Sequence, residues 1–382
     1  MKKIILIVMM LLFIPIRVQA YEVGEGNNIN DKQVEGLYQY INNMKTEYEL
    51  LHDINIKDYV NSYIKTGKDP ITFDKVLKAL FTYSMKEVAA SLKFMAILIV
   101  IAIVCALLTN LESAFSNDSV TNIAFFACYA ILIIIMAKSF YVGVDIARTT
   151  IMKLSEFMMA LMPVLLMLLA SVGGVTEAVT VDPIIVGVIA VSSKIFIGII
   201  IPIICMSFVM QFVSNVSSEY KINKLSKLFN QVALWGQGII LTVFIGIITI
   251  RGISSKTMDV VAVKTSKFVV DNFVPIVGKS LSDAVSTVAG YSLLLKSALS
   301  SIGLIIILII LAYPVIKILM MVLIYKLTAA LIEPISDSRL VKCIGAAGDS
   351  LILIMSSLIG VSVMFFILIS IVAAAGKVAM GG

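Results

Sequence analysis

Histidine is almost missing from this chain, with His52 the only one among 382 residues. A histidine-built metal centre or a Ser-His catalytic arrangement would have to rest on that residue, and no partner pattern surrounds it. Charge is scarce as well. Charged residues make up 14% of the chain, where a soluble domain carries about 25%. The four cysteines form no disulfide framework and no metal-ligand spacing. Cys105, Cys128 and Cys205 sit in apolar runs and Cys343 in a short connecting stretch, so buried free thiols are expected. The phosphate-cradling G-x-x-x-x-G-K-[ST], the zinc-binding H-E-x-x-H and the G-x-S-x-G elbow are all absent. No enzyme, no cofactor and no metal is expected.

What the chain has in excess is apolar surface. Apolar residues reach 60%, and the mean hydropathy is +1.03. A chain of this length with so little charge cannot dress a water-facing surface, so an integral membrane protein is expected. The formal charge of +6 is scattered along the sequence, which gives no basis for a nucleic-acid partner.

The N-terminus reads Met1-Lys2-Lys3, then an apolar run from Ile4 to Ile14, then Pro15 to Ala20. A positive start, a short apolar core and a small residue describe a signal peptide over residues 1–20, cleaved after Ala20. Eleven apolar residues fall short of the roughly 20 that cross a bilayer. A retained anchor is the rival, and both send the next segment across the membrane.

Residues 21–90 differ in composition from the rest of the chain. They hold eleven of the 24 acidic residues and eight lysines. Leu37, Tyr40, Ile41 and Met44 recur at helical spacing, as do Val76, Leu77, Leu80 and Phe81. Gly67-Lys68-Asp69-Pro70 separates the two stretches. The segment is expected to be a small helical, extracytoplasmic unit whose apolar faces make core or interface contacts.

The membrane domain covers residues 91–382. Apolar runs lie at Leu92–Thr109, Ile123–Val142, Phe157–Val172, Ile184–Val213, Val232–Ile250, Ile302–Leu327 and Leu351–Ala375. Each is long enough to span, which predicts an all-α polytopic bundle of about seven transmembrane helices, with six to eight admissible. The fourth run must tilt, kink at Pro202 or extend past the bilayer. Loop charges conflict with strict alternation: 111–122 and 173–183 contain no Lys or Arg, while Arg148, Lys153, Lys221, Lys224 and Lys227 would lie outside; only Arg251 to Lys296, inside with six cations, agrees. A single altered crossing would change that parity.

The amphipathic stretch 254–301 is neither a clean span nor a plain loop. Asp283, Ser286, Thr287 and Gly290 fall on one helical face. That face could pack in a bundle, lie at the interface or line an aqueous path. Acids near a membrane interior need a partner or water. Lys138 and Lys194 could snorkel to an interface, and Lys317 lies deep enough to need protein or water around it. Gly345 to Asp349 reads as a turn into the last helix, and Glu333 to Asp337 as the turn between the last two spans.

The stretch Asp283-Ala284-Val285-Ser286-Thr287-Val288-Ala289-Gly290-Tyr291-Ser292-Leu293-Leu294-Leu295-Lys296 resembles the stage III sporulation protein AE family of endospore-forming Firmicutes. So do Lys317-Ile318-Leu319 and Ile324-Tyr325-Lys326-Leu327-Thr328-Ala329-Ala330-Leu331-Ile332-Glu333-Pro334-Ile335-Ser336-Asp337-Ser338. The family-like motif residues are Gly290, Tyr291, Ser292, Lys296, Tyr325, Lys326, Glu333, Pro334 and Asp337.

The resemblance implies a multi-pass subunit of a channel-like, secretion-like complex in the mother-cell membrane around the forespore, needed for late forespore development. The partners it implies are the other stage III A operon proteins, including an ATPase and ring-forming subunits, and the forespore stage II protein Q. Homo-oligomerisation stays open. A non-conducting scaffold and an independent small-molecule secondary transporter remain as alternatives.

Overall fold

A computed structural model of the chain describes residues 26–45, 48, 55–66, 92, 95–107, 118–171, 175–216, 223–273, 278–336 and 338–375. Over 26–32, 118–126, 175–183, 250–273 and 278–289, and at 128, 215, 216 and 223, only the backbone is described. The segment read as a signal peptide, the stretch from Val76 to Phe81, and Asp337 lie outside the described residues.

The described elements are helical. In chain order they are α1 (Gly26–Met44), α2 (Ile56–Thr66), α3 (Met95–Leu107), α4 (Asp118–Ser171) and α5 (Val175–Ile195). After a π-helical turn at Phe196–Ile200 come α6 (Ile201–Val216), α7 (Asn223–Phe273), α8 (Gly278–Ile332) and α9 (Ser338–Ala374). Five stretches among the described residues are long and apolar enough to cross a membrane: Tyr129–Ser171, Ile184–Ser214, Lys224–Thr249, Gly290–Ile332 and Ser338–Ala374. Met95–Leu107 is a shorter apolar helix.

This differs from the expected seven separate spans. The runs Ile123–Val142 and Phe157–Val172 belong to one uninterrupted helix, α4. The intervening Gly143–Glu156 carries charge but no strong breaker, and Ala147, Ile151 and Leu154 recur at helical spacing with no exposed surface. Its apolar stripe therefore carries the helix through. The loop expected to hold Arg148 and Lys153 does not exist. Nor is there a turn at Gly345–Asp349, which lies inside α9.

The fourth run does deform near Pro202. Ile201 N–H donates to the carbonyl of Phe196, a wide π-type bond that accompanies the Pro202 nitrogen, which cannot donate. The 254–301 stretch is helical over 254–273 and again from 278, as continuations of α7 and α8.

Helix α9 is the centre of the bundle. It packs against α8, α4, α6 and α7, with α8 its most extensive neighbour. Two glycines fix the relative heights of three helices. Beside Gly143 of α4 lie Leu351 of α9 and Met321 of α8, and beside Gly303 of α8 lie Leu161 of α4 and Ile369 of α9. So α4 runs parallel to α9, and α8 antiparallel to both. Lipid tails are as apolar as leucine, so such close packing, rather than hydrophobic burial, holds the helices together.

The N-terminal helices dock on this bundle. α1 packs on α4 and α2 on α8. Leu37, Ile41 and Met44 of the expected stripe are buried, as are Ile56, Tyr59 and Val60 of α2. The Tyr59 hydroxyl donates to Ser301 Oγ at 3.0 Å. Lys153 Nζ lies 5.6 Å from the ring centre of Tyr48.

Candidate functional site

The motif residues gather at the two ends of the α8–α9 contact. Helix α8 is buried along one face by Ser292, Lys296, Leu299 and Ser300, spaced three or four apart. Lys296 has no exposed surface, yet it carries an ammonium group. Its Nζ donates to the carbonyl of Val372 at 3.1 Å and also to that of Ala375. These carbonyls end α9, where the regular helical bonds run out; that of Val372 also accepts from the Ala375 N–H at 3.2 Å. The negative end of the helix dipole favours a cation there. A buried amine is costly in a membrane unless it is matched in this way.

At the opposite end, Lys326 Nζ of α8 pairs with Asp349 Oδ1 of α9 at 2.7 Å, with both side chains partly exposed. Just below it, Tyr325 is fully buried, and its hydroxyl donates to the Met136 carbonyl of α4 at a long 3.5 Å. Gly348 lets the helices approach. A Cβ there would stand 3.3 Å from Lys326 Cε and 3.4 Å from Tyr325 Cβ. Glu333 and Pro334 form the exposed turn that follows α8.

Residues 283, 286, 287 and 290 lie on the helical backbone of α8, with residues 283–289 described by backbone alone. Helical register aligns 283, 287 and 290 with Leu294, which is exposed, and sets them opposite Ser292 and Lys296. The motif thus occupies two faces. The face of Ser292 and Lys296 locks α8 to α9. Tyr291, at the border between them, is exposed and close to Tyr38 of α1. Burial first, then the neighbouring Tyr291 and Glu35, push the Tyr38 hydroxyl up to about 12.

A second polar junction joins α7 to α9. Gln237 Nε2 donates to Ser357 Oγ at 2.9 Å, and Ser356 Oγ donates to Gln237 Oε1 at 2.8 Å. A third joins α6 to α7, where Ser207 Oγ donates to the Ser226 carbonyl at 3.0 Å. Among the described residues Lys317 is paired with no acid. It donates instead to the Tyr313 hydroxyl at 3.3 Å on its own helix. Among the described residues no group of three or more His, Cys, Asp or Glu could hold a metal ion. Described Cys105 and Cys343 are buried and Cys205 half-buried, all as free thiols.

Residues 54–376 match the family described as stage III sporulation protein AE. The chain is 33% identical over 348 residues to the stage III sporulation protein AE of Bacillus subtilis (strain 168), covering 91% of this chain and 87% of that relative. No solved structure matches.

Proposed function

The chain belongs to the stage III sporulation protein AE family, and from that premise we propose that it is a membrane-embedded subunit of a secretion-like channel complex linking mother cell and forespore. The observation that carries this is the composite head at one end of the bundle. Helices α1 and α2 dock there beside Tyr291 and Ser301. Beyond Thr249, α7 runs on to Phe273 through Arg251, Lys256, Asp259, Lys264, Lys267 and Asp271, and packs against α8. Those 23 residues from 251 to 273 add roughly 35 Å at 1.5 Å per residue. A charged helical projection of that length suits contact with partner proteins rather than lipid.

With residues 21–90 outside the cytoplasm, this whole end faces the space between mother cell and forespore. Merging two runs into α4 supplies the altered crossing, and the Lys221–Lys227 loop then lies inside, as the positive-inside rule favours, while Arg251, Lys256, Lys264 and Lys267 lie outside, against it. The partners are the other stage III A operon proteins, an ATPase and ring-forming subunits among them, and the forespore stage II protein Q. The chain itself hydrolyses nothing and binds no cofactor.

The second reading is a scaffold that assembles this complex without conducting. It is favoured by the polar locks at Lys296 and Gln237, which hold α9 rigidly to its neighbours. A test is deletion in an endospore-forming host, with complementation by the full chain carrying a fluorescent tag. Arrest after engulfment, rescue by the tagged chain and a signal encircling the forespore are expected. Normal late forespore gene expression without the chain would overturn the proposal.

A further inference from the structure

The close contacts at Gly143 and Gly303 give a ruler along the bundle. Residues 143–161 of α4 stand level with 303–321 of α8 and 351–369 of α9. At 1.5 Å per residue, this layer is about 27 Å thick, close to the roughly 30 Å of hydrocarbon in a bilayer. Within it, 351–369 of α9 contains no charged residue, and 303–321 of α8 contains only Lys317. Their exposed side chains there include Leu308, Tyr313 and Leu319 on α8, and Ile352, Ile359, Val363 and Phe366 on α9. Those surfaces suit lipid.

Helix α4 breaks the pattern at the same depth. Its outer face carries Asp145, Arg148 and Glu156, all exposed and in ion pairs with no described residue. Thr149 is exposed beside them, and Lys138 continues the stripe seven residues before Asp145. A neighbouring helix contributes to this layer. Lys194 of α5 is exposed, and Phe196, two residues on, lies 3.8 Å from where a Cβ of Gly360 would stand. A charged side chain at the centre of a bilayer costs about 2.5–3.5 kcal/mol by insertion scales, and less toward the ends of the layer, where Asp145 stands two residues inside and Arg148 and Glu156 five residues inside. Lysine and arginine can snorkel, whereas the short Asp145 side chain reaches little beyond its own turn.

We infer that the face of α4 from Asp145 to Glu156 is a water-lined wall at membrane depth, closed off from lipid by Tyr48 beside Lys153 on one flank and by protein beyond this protomer on the rest. The occupant is water with small polar solutes. Asp145, Arg148, Lys153 and Glu156 bring both signs to the stretch, so no single ionic sign is favoured. This deepens the channel reading and rests on it for any claim of passage, but the wetness of the wall is a separate fact and is tested separately.

The test is thiol accessibility in membranes from sporulating cells that carry the full chain with its native cysteines replaced. Single cysteines go at Thr149 and Met152, which remove no charge, and at Asp145 and Glu156. Lipid-side comparisons go at Leu308, Leu319 and Ile359. A membrane-impermeant maleimide should modify the four α4 positions at least tenfold faster than the three comparisons. Protection of Thr149→Cys and Met152→Cys to the level of the comparisons would overturn the inference, whether lipid or a dry protein contact covers the face. Fast labelling in a strain whose forespore receives no tracer would keep the wet wall and remove the channel.

Discussion

Lys296 Nζ lies 3.1 Å from the carbonyl oxygen of Val372, 76 residues further along the chain, and so ties the first part of α8 to the end of α9. The pair joins a buried cation to a helix terminus that needs one. Replacing it with methionine keeps the bulk, removes the donor to the Ala375 carbonyl and leaves that of Val372 with only the Ala375 N–H at 3.2 Å. Lys296→Met should lower stability by about 1–3 kcal/mol, the cost of unsatisfied buried groups. Thermal unfolding of the detergent-solubilised chain checks this. A melting point equal to that of the parent would mean that the tie is dispensable.

Close packing at Gly303 sets a second expectation. A Cβ there would stand 2.7 Å from Leu161 Cδ2 and 3.5 Å from Ile369 Cδ1, whereas nothing lies within 4 Å of one at Gly238. Gly303→Leu should cost about 1–3 kcal/mol by overpacking, and Gly238→Leu almost nothing. The same melting experiment separates them, and equal losses would contradict the arrangement of α4, α8 and α9.

The Gln237–Ser357 contact calls for a double-mutant cycle. Interhelical hydrogen bonds inside membranes average about 0.6 kcal/mol, with a maximum near 1.7. Gln237→Leu combined with Ser357→Ala should therefore show coupling in that range, since the bond at 2.9 Å is short and buried. Additive effects would mean that the two side chains do not interact.

Alkaline pH should loosen the N-terminal helices. The Tyr38 hydroxyl is raised from 10.0 to about 12 in the folded protein, first by burial and then by Tyr291 and Glu35. Between those values the unfolded chain has lost the proton and the folded chain retains it, so stability falls as pH rises through that window. Tyr38→Phe should flatten the decline. Monitoring tyrosinate absorbance alongside unfolding from pH 9 to 12 tests both parts, and an unchanged slope would contradict the account.

Much of the architecture was legible because apolar run length is a direct measure of bilayer crossing. The expected break between two runs falls inside α4, where Asp145, Arg148 and Glu156 look like a loop when read by hydropathy. They are one face of a helix whose other face holds Ala147, Ile151 and Leu154. Separating faces at a period of 3.6 would have found it. The stripe Leu37, Ile41 and Met44 was readable for the same reason, and it is buried as core contacts should be. Lys296 was named only through its motif. Ser292 and Ser300, four residues to either side, were the local signal for a buried polar face. Its acceptors at Val372 and Ala375 could not be read, because backbone carbonyls carry no sequence signature. The pairing of Lys326 with Asp349 was equally hidden, as it depends on the antiparallel heights of α8 and α9.

The most direct test of the central claim is capture of the full-length tagged chain from membranes of sporulating cells after engulfment. If the chain is a subunit of the mother-cell–forespore complex, the operon's ATPase and ring-forming proteins should co-purify with it at a fixed ratio. Recovery of the chain without them, from cells that still complete sporulation, would contradict the claim.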